Sequence, residues 1–190
     1  VVDADDLLDE LVKVATAKTE ELGKVKDFNE TELKELYNTL ALGALKFYLL
    51  RVDPKRRMIF NPEESIDFHG FTGPFVQYTH ARIKSILRNE LVNDNPIGTS
   101  SLLPLEKELL VLLEQYDTTI QQAAEEHNPS LLAIYIFNVA KVFNSFYAAL
   151  SIRSAETEEK KELRLKIASL TANTIKSAMG LLGIQVPERM

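Results

Sequence analysis

An all-α helical bundle of about six helices is the fold class this sequence predicts, and three observations predict it. Apolar residues recur at spacings of three and four through most of the chain. Helix starts and stops punctuate it from one end to the other. One stretch, Ser130 to Leu150, is apolar nearly all round apart from a narrow strip of Asn138, Lys141, Asn144 and Ser145, and a helix of that kind belongs in the middle of a bundle. No run asks convincingly for a sheet, and no internal repeat of about 30–45 residues points to a solenoid.

Each element has its own signal. Asp3 with Asp6 can cap a first helix carrying Leu7, Leu8, Leu11 and Val14, with Gly23 as its stop. Asn29 and Glu32 form a capping-box pattern, and Phe28 with Leu33 has the spacing of a hydrophobic staple. The helix that follows shows Leu33, Leu36, Tyr37, Leu40, Ala44, Phe47 and Tyr48 on one side and should end before Asp53-Pro54. Residues 52–72 read as a buried loop with one short helical turn. Pro74 at a first helical position opens the next helix, expected to reach about Leu91 with Val76, Ile83, Leu87 and Leu91 as its core face. Asn93 to Gly98 is a loop by composition. Pro104 starts a helix with Leu105, Leu109, Leu112, Leu113, Tyr116 and Ile120 at helical spacing, broken by His127-Asn128-Pro129. The last helix carries Leu163, Ile167, Leu170, Ala178 and Leu181, and Gly183-Ile184 has the form of a Schellman stop.

The 190 residues suffice for one well-buried core. There are no cysteines, which excludes disulfides, thiolate metal sites and cysteine nucleophiles and suits a reducing compartment. No apolar run is expected to approach the roughly 18 residues of a membrane span. The sequence therefore reads as cytoplasmic. A net charge of −6 argues against a general nucleic-acid binder but leaves room for a local site. Positive charge gathers at Arg51, Lys55, Arg56 and Arg57, and again at Arg82, Lys84 and Arg88.

Enzyme chemistry is not visible. There is no P-loop, dinucleotide fingerprint or nucleophile elbow. His69, His80 and His127 lie far apart with no partner at metal spacing, so no metal site is expected. The adjacent pairs Glu63-Glu64 and Glu125-Glu126 point to different sides of a helix and make poor dyads. The most informative segment is Phe71-Thr72-Gly73-Pro74-Phe75-Val76-Gln77-Tyr78-Thr79-His80-Ala81-Arg82. At about 100° per residue, Phe75, Tyr78 and Arg82 fall within about 60° of one another, beside the core face rather than on it. Two rings and a guanidinium so placed form a surface for stacking unpaired bases.

These residues resemble the C-terminal part of class I arginyl-tRNA synthetases. The likeness runs over essentially the whole chain: Leu42-Gly43-Ala44-Leu45-Lys46, Ile66-Asp67-Phe68 leading into the Thr72 to Arg82 segment, Phe143-Asn144-Ser145-Phe146-Tyr147, then Leu182-Gly183-Ile184 and the closing Pro187-Glu188-Arg189-Met190. The HIGH- and KMSK-type motifs of the family's ATP site are absent, so the chain looks like an excised piece that is not itself an enzyme. The resemblance implies a DALR-type anticodon-binding domain at 69–190. Residues 1–68 would be junction helices and a loop continuing from the catalytic core, packed with it as one unit. It implies a parent arginine–tRNA ligase that uses ATP with magnesium, with no cofactor in this piece. The partners implied are the anticodon loop of the arginine tRNA and the catalytic domain of the same chain, with no membrane, and a monomer is expected.

By the same resemblance, Phe75, Gln77, Tyr78, Arg82, Tyr147 and Met190 are the expected tRNA-binding residues. Phe75 stands where the family usually has tyrosine, keeping the ring and losing the hydroxyl. Phe71 replaces the usual Asp or Asn. Lys55, Arg56, Arg57, Lys84 and Arg88 are the candidates for holding phosphates. Each reading has a structural rival: Phe75 can seal the core border beside Ile86, Tyr147 can be a core tyrosine, and Met190 can touch nothing. The alternative function is a helical protein–protein interaction domain that uses the Phe75/Tyr78 stripe as its interface.

Overall fold

The computed structural model describes residues 3–21, 28–88, 90, 92 and 101–190; the expected stop at Gly23, the reach to Leu91 and the 93–98 loop lie outside them. Asp3 accepts the amide of Asp5 at 3.0 Å and opens α1 (Ala4–Glu21). Asn29 and Glu32 make both bonds of the capping box at the head of α2 (Glu30–Leu50). The 52–72 segment holds one short helix, α3 (Pro62–Ser65), and buries Ile66 and Phe68. Thr72, whose hydroxyl accepts from the Phe75 amide at 3.3 Å, caps α4 (Gly73–Leu87), so Pro74 is the second helical residue rather than the first. After it come α5 (Pro104–Glu114), α6 (Tyr116–Glu125), α7 (Pro129–Ala149) and α8 (Glu158–Leu181). Gly183 has a φ of 69°, its amide donates to Gly180 O at 2.9 Å, and Ile184 N donates to Met179 O at 2.8 Å. That is the expected Schellman pair.

Eight helical segments thus stand among the described residues where the pattern suggested about six. One addition is the short turn α3. The other comes from a break at Gln115 inside the expected Pro104 helix. The Tyr135 hydroxyl donates to Leu112 O at 3.0 Å, with Leu113 O at 3.5 Å. Those two carbonyls would have received Tyr116 and Asp117 amides in an unbroken helix, and a side chain inserted into the ladder interrupts it.

Two apolar cores result. The larger joins α4, α5, α7 and α8 through Val76, Ile83, Leu109, Ile136, Phe143, Phe146 and Ile175; the smaller joins α1, α2 and the 66–68 segment through Leu11, Leu36, Leu40, Ala44 and Ile66. By length and composition α7 could cross a membrane, against the sequence expectation that no stretch comes near this. Its apolar surround is instead supplied by α4, α5, α6 and α8, the setting of a core helix.

The centre is α4, packed by α2, α7 and α8. Its buried residues include Val76, Gln77, Thr79, His80, Ala81, Ile83 and Ile86. The single core face read from periodicity is therefore too narrow, because neighbours enclose the helix on several sides. The α2–α4 crossing is close: a Cβ on Gly73 would meet the Gly43 carbonyl, and one on Gly43 would meet the Gln77 amide group. Glycine at both positions lets the two backbones approach.

Candidate nucleic-acid interface

The enclosure of α4 leaves it a thin open strip, and Tyr78, Arg82 and Ser85 lie on it. A groove of about 840 Å³ runs along that strip. Its other walls are the end of α7 with Tyr147, the following Ser151-Ile152-Arg153, and the end of the chain at Arg189-Met190. Four arginines line it (Arg82, Arg88, Arg153 and Arg189), and among the described residues no Asp or Glu does. Arg153 and Arg189 pair with Glu90 (3.8 Å) and Glu32, which do not line the groove, so its positive charge rests mainly on Arg82 and Arg88.

Arg82 sits at the floor. Its Cζ is 4.8 Å from the Tyr78 ring centroid and 5.9 Å from that of Tyr147, both within cation–π range. Nη1 donates to Asn144 Oδ1 at 3.0 Å and Nη2 to the Tyr78 hydroxyl at 3.2 Å. Tyr78 also meets Phe68 edge-on, centroids 6.3 Å apart, and Tyr147 stacks parallel on Phe143 at 6.2 Å. Tyr147 is 38% exposed, so a flat ligand can reach it without displacing core.

The chain end reaches the groove because side chains of α2 and α4 grip its backbone. Lys46 Nζ donates to Gly183 O at 2.7 Å, Gln77 Nε2 to Gln185 O at 2.8 Å, and His80 Nδ1 to Pro187 O at 2.8 Å. Since a carbonyl only accepts, His80 carries its proton on Nδ1. Burial holds its imidazole below the ordinary value, although the Pro187 carbonyl and Glu188 pull the other way. Glu188 binds Lys84 and Lys176, each at 3.0 Å, and Arg189 pairs with Glu32 while lying 4.2 Å over the Phe28 ring.

Of the residues expected to bind RNA, Tyr78, Arg82, Tyr147 and Met190 meet at this groove. Two do not. Gln77 is fully buried and spends its amide on Thr39 O (3.0 Å) and Gln185 O, so it is a tie between α2, α4 and the chain end rather than a surface group. Phe75 turns toward α7, its ring 5.1 Å from that of Phe137 within the larger core. The expected Phe75/Tyr78 stripe therefore parts into two environments. Among the phosphate candidates Arg88 lines the groove, Lys84 is paired with Glu188, and Lys55, Arg56 and Arg57 are exposed in the turn after α2, away from it. Sequence reasoning missed Arg153, Arg189 and Asn144. For Arg189 and Asn144 a signal existed, the closing Glu-Arg-Met and an amide in the narrow polar strip of an apolar helix; Arg153 offered none.

Behind the groove wall lies a buried ionic cluster. Arg164, 1% exposed, donates to Glu106 at 2.9 Å, to Glu156 at 2.7 Å and, through Nη1, to Ser151 O at 2.6 Å; Lys160 reaches Glu106 at 2.6 Å. Burial pushes the Glu106 carboxyl up, but the bonds from Lys160, the Leu103 amide and Arg164 outweigh it and hold the group below its ordinary value. Among the described residues no cluster of His, Asp or Glu could hold a metal ion.

Fold and groove define a helical domain that presents rings and guanidinium groups to a ligand. The family model for the DALR anticodon binding domain matches residues 76–190, and the chain belongs to that family. It is 50% identical over its whole length to an arginine–tRNA ligase of Flavobacterium psychrophilum and 45% identical to that of Amoebophilus asiaticus, covering 32% and 33% of those proteins. The chain thus spans about a third of the length of the relatives it matches. Among solved structures, the Thermus thermophilus arginyl-tRNA synthetase superposes with a TM-score of 0.92 at 34% identity, over all of this chain and 32% of the other. The Plasmodium falciparum enzyme, at 22% identity and a TM-score of 0.87, shares the fold.

Proposed function

We propose that this chain is the tRNA anticodon-binding part of an arginine–tRNA ligase, the ATP-dependent enzyme that joins arginine to its tRNA. The observation that carries this reading is the groove: two tyrosine rings and four arginines around one opening, with no carboxylate side chain among its described lining residues. RNA specificity comes largely from splayed single-stranded bases stacked on flat side chains and bonded along their edges. An anticodon loop offers such bases. Tyr78 and Tyr147 would stack them, Met190 would close over one, and Arg88, Arg153 and Arg189 would hold the phosphates that set the loop's position.

Magnesium does not fit the residues of the groove, and ATP would be bound by the catalytic part of the full-length protein. The groove has guanidinium groups but no acidic ligands for a magnesium ion, and none cluster elsewhere among the described residues. No step of the reaction runs through this chain; it binds and orients the RNA. Residues 1–68 would join the domain to the catalytic part, a reading supported by the exposed Leu42, Leu49 and Ile59 along that stretch. The full-length protein would be a cytoplasmic monomer.

Tyr78→Ala in the full-length protein tests the reading. Losing one stacked base, worth about 1–3 kcal/mol, should raise the KM for tRNA roughly 5- to 150-fold with a much smaller change in kcat at saturating tRNA. Unchanged tRNA kinetics in a variant whose circular dichroism shows it folded would overturn the assignment.

A further inference from the structure

Resting on that reading of the groove, one residue stands out that touches no ligand surface of its own. Asn144 projects from α7 one turn before Tyr147. Its Nδ2 donates to Thr79 Oγ1 at 2.9 Å and its Oδ1 accepts from Arg82 Nη1 at 3.0 Å. The orientation of the amide is determined by its neighbours. The Thr79 hydroxyl has a single hydrogen and spends it on Phe75 O at 2.9 Å, so towards Asn144 it can only accept. The NH₂ must therefore face Thr79, and the carbonyl must face Arg82. The helix backbone of α4 thereby fixes the acceptor that fixes the guanidinium.

The partners of Arg82 are also unusual for a half-buried arginine. Both are neutral, the Asn144 carbonyl and the Tyr78 hydroxyl, and the guanidinium lies between two tyrosine rings at 4.8 and 5.9 Å. Two bonds at its outer nitrogens hold its plane, while its charge is left without a carboxylate. Unpaired bases stack on guanidinium planes as well as on rings. A lysine at the same place would keep the charge but offer neither the plane nor the paired donors. We propose that Asn144 is a positioning residue that locks Arg82 as a flat stacking and hydrogen-bonding plate for an unpaired base, rather than as a point charge for a phosphate.

The test uses the full-length protein with two transcripts, the arginine tRNA and the same tRNA with a substituted anticodon. Binding and KM for each give a discrimination ratio. Arg82→Lys should cut that ratio roughly tenfold or more, because a stacked guanidinium is not replaced by an ammonium. Asn144→Leu should cut it comparably, and the double variant should lose no more than Arg82→Lys alone, the non-additivity expected when one residue acts through the other. Asn144→Asp retains an acceptor facing Arg82, with the Thr79 hydroxyl turned from Phe75 O to donate to the second carboxylate oxygen, and should keep the ratio even where overall affinity falls; it also serves if the leucine variant does not fold. Discrimination surviving Arg82→Lys, losses that multiply in the double variant, or a ratio destroyed by Asn144→Asp in a folded protein would overturn the proposal. If the unaltered protein does not distinguish the two transcripts, the anticodon-binding reading itself falls; if it does and only the variants misbehave, the plate alone falls.

Discussion

Two arginines in this fold do opposite work, and their surroundings show why. Arg164 is enclosed, bonded to Glu106, Glu156 and the Ser151 carbonyl, and its charge is spent inside the molecule. Among the described residues the half-buried Arg82 is bonded to two neutral oxygens and no carboxylate, so its charge remains available to the groove. A buried cation that meets carboxylates is a fastening; a partly open one held by an amide and a hydroxyl is prepared for something that arrives. The two sites are connected, since Arg164 holds the carbonyl of Ser151 at the edge of the wall that carries Arg153. The fastening holds the edge of the groove.

Removing each guanidinium should separate the two roles most sharply. Arg164→Met leaves Glu106 buried with Lys160 as its one remaining cation and should cost about 3–5 kcal/mol of stability, the usual penalty for breaking a buried pair from one side. Arg82→Met should change stability by no more than about 1 kcal/mol while weakening tRNA binding. Urea titration followed by circular dichroism measures the first, tRNA titration the second. Equal destabilisation by both would show that Arg82 is a fastening too.

The contrast also marks how far the sequence could be read. Caps and stops were legible because they are local: Asn29 with Glu32, and Gly183 with Ile184, involve residues within a few positions of one another. The Tyr78–Arg82 pair was legible for the same reason, one helical turn apart. What decides between Arg82 and Arg164 lies 62 and 58 residues away, at Asn144 and Glu106, and no periodicity carries that information. Phe75 and Tyr78 differ by about 60° on the helix. Only the arrival of Phe137 beside one and Tyr147 near the other sends them to different environments. Gln77 is among the residues expected to bind RNA, but the close contact of α2 with α4 brings Thr39 and the chain end over it. The break at Gln115 likewise depends on a tyrosine 20 positions further on.

Acid should act on the Arg164 fastening, and on the chain end through His80 and Glu188, rather than on Arg82 itself. The Glu106 carboxyl is held below its ordinary value, so the folded state binds its proton less readily than the unfolded chain does. Its contribution is fully present above the ordinary carboxylate value and is lost as pH falls through the lower, folded one. The urea midpoint of the unaltered protein should therefore drop as pH is lowered through and below the ordinary carboxylate value of 4.5. Arg82→Met should show the same drop, because no carboxylate answers to that guanidinium. Arg164→Met, with one of the bonds that lower Glu106 gone, should show a shallower one. A parallel fall in all three proteins would place the acid sensitivity elsewhere.

The smallest effect sharpens the comparison on the groove side alone. Lys84 and Arg88 are one turn apart on the same helix end, and both were expected to hold phosphate. Lys84 faces the Glu188 carboxylate at 3.0 Å, whereas among the described residues the Arg88 side chain meets the Glu188 backbone carbonyl at 3.4 Å and no carboxylate. If neutral partners are what leave a cation free to release counterions from RNA, Arg88→Gln should reduce the slope of log K against log salt by about 0.7, the value for one single-strand phosphate. Lys84→Gln should reduce it by less than about half that amount, since part of its charge is already answered by Glu188. Equal slopes for the two variants would mean that the ion pair opens on binding. The partner seen at rest would then not sort receptor cations from fastening ones.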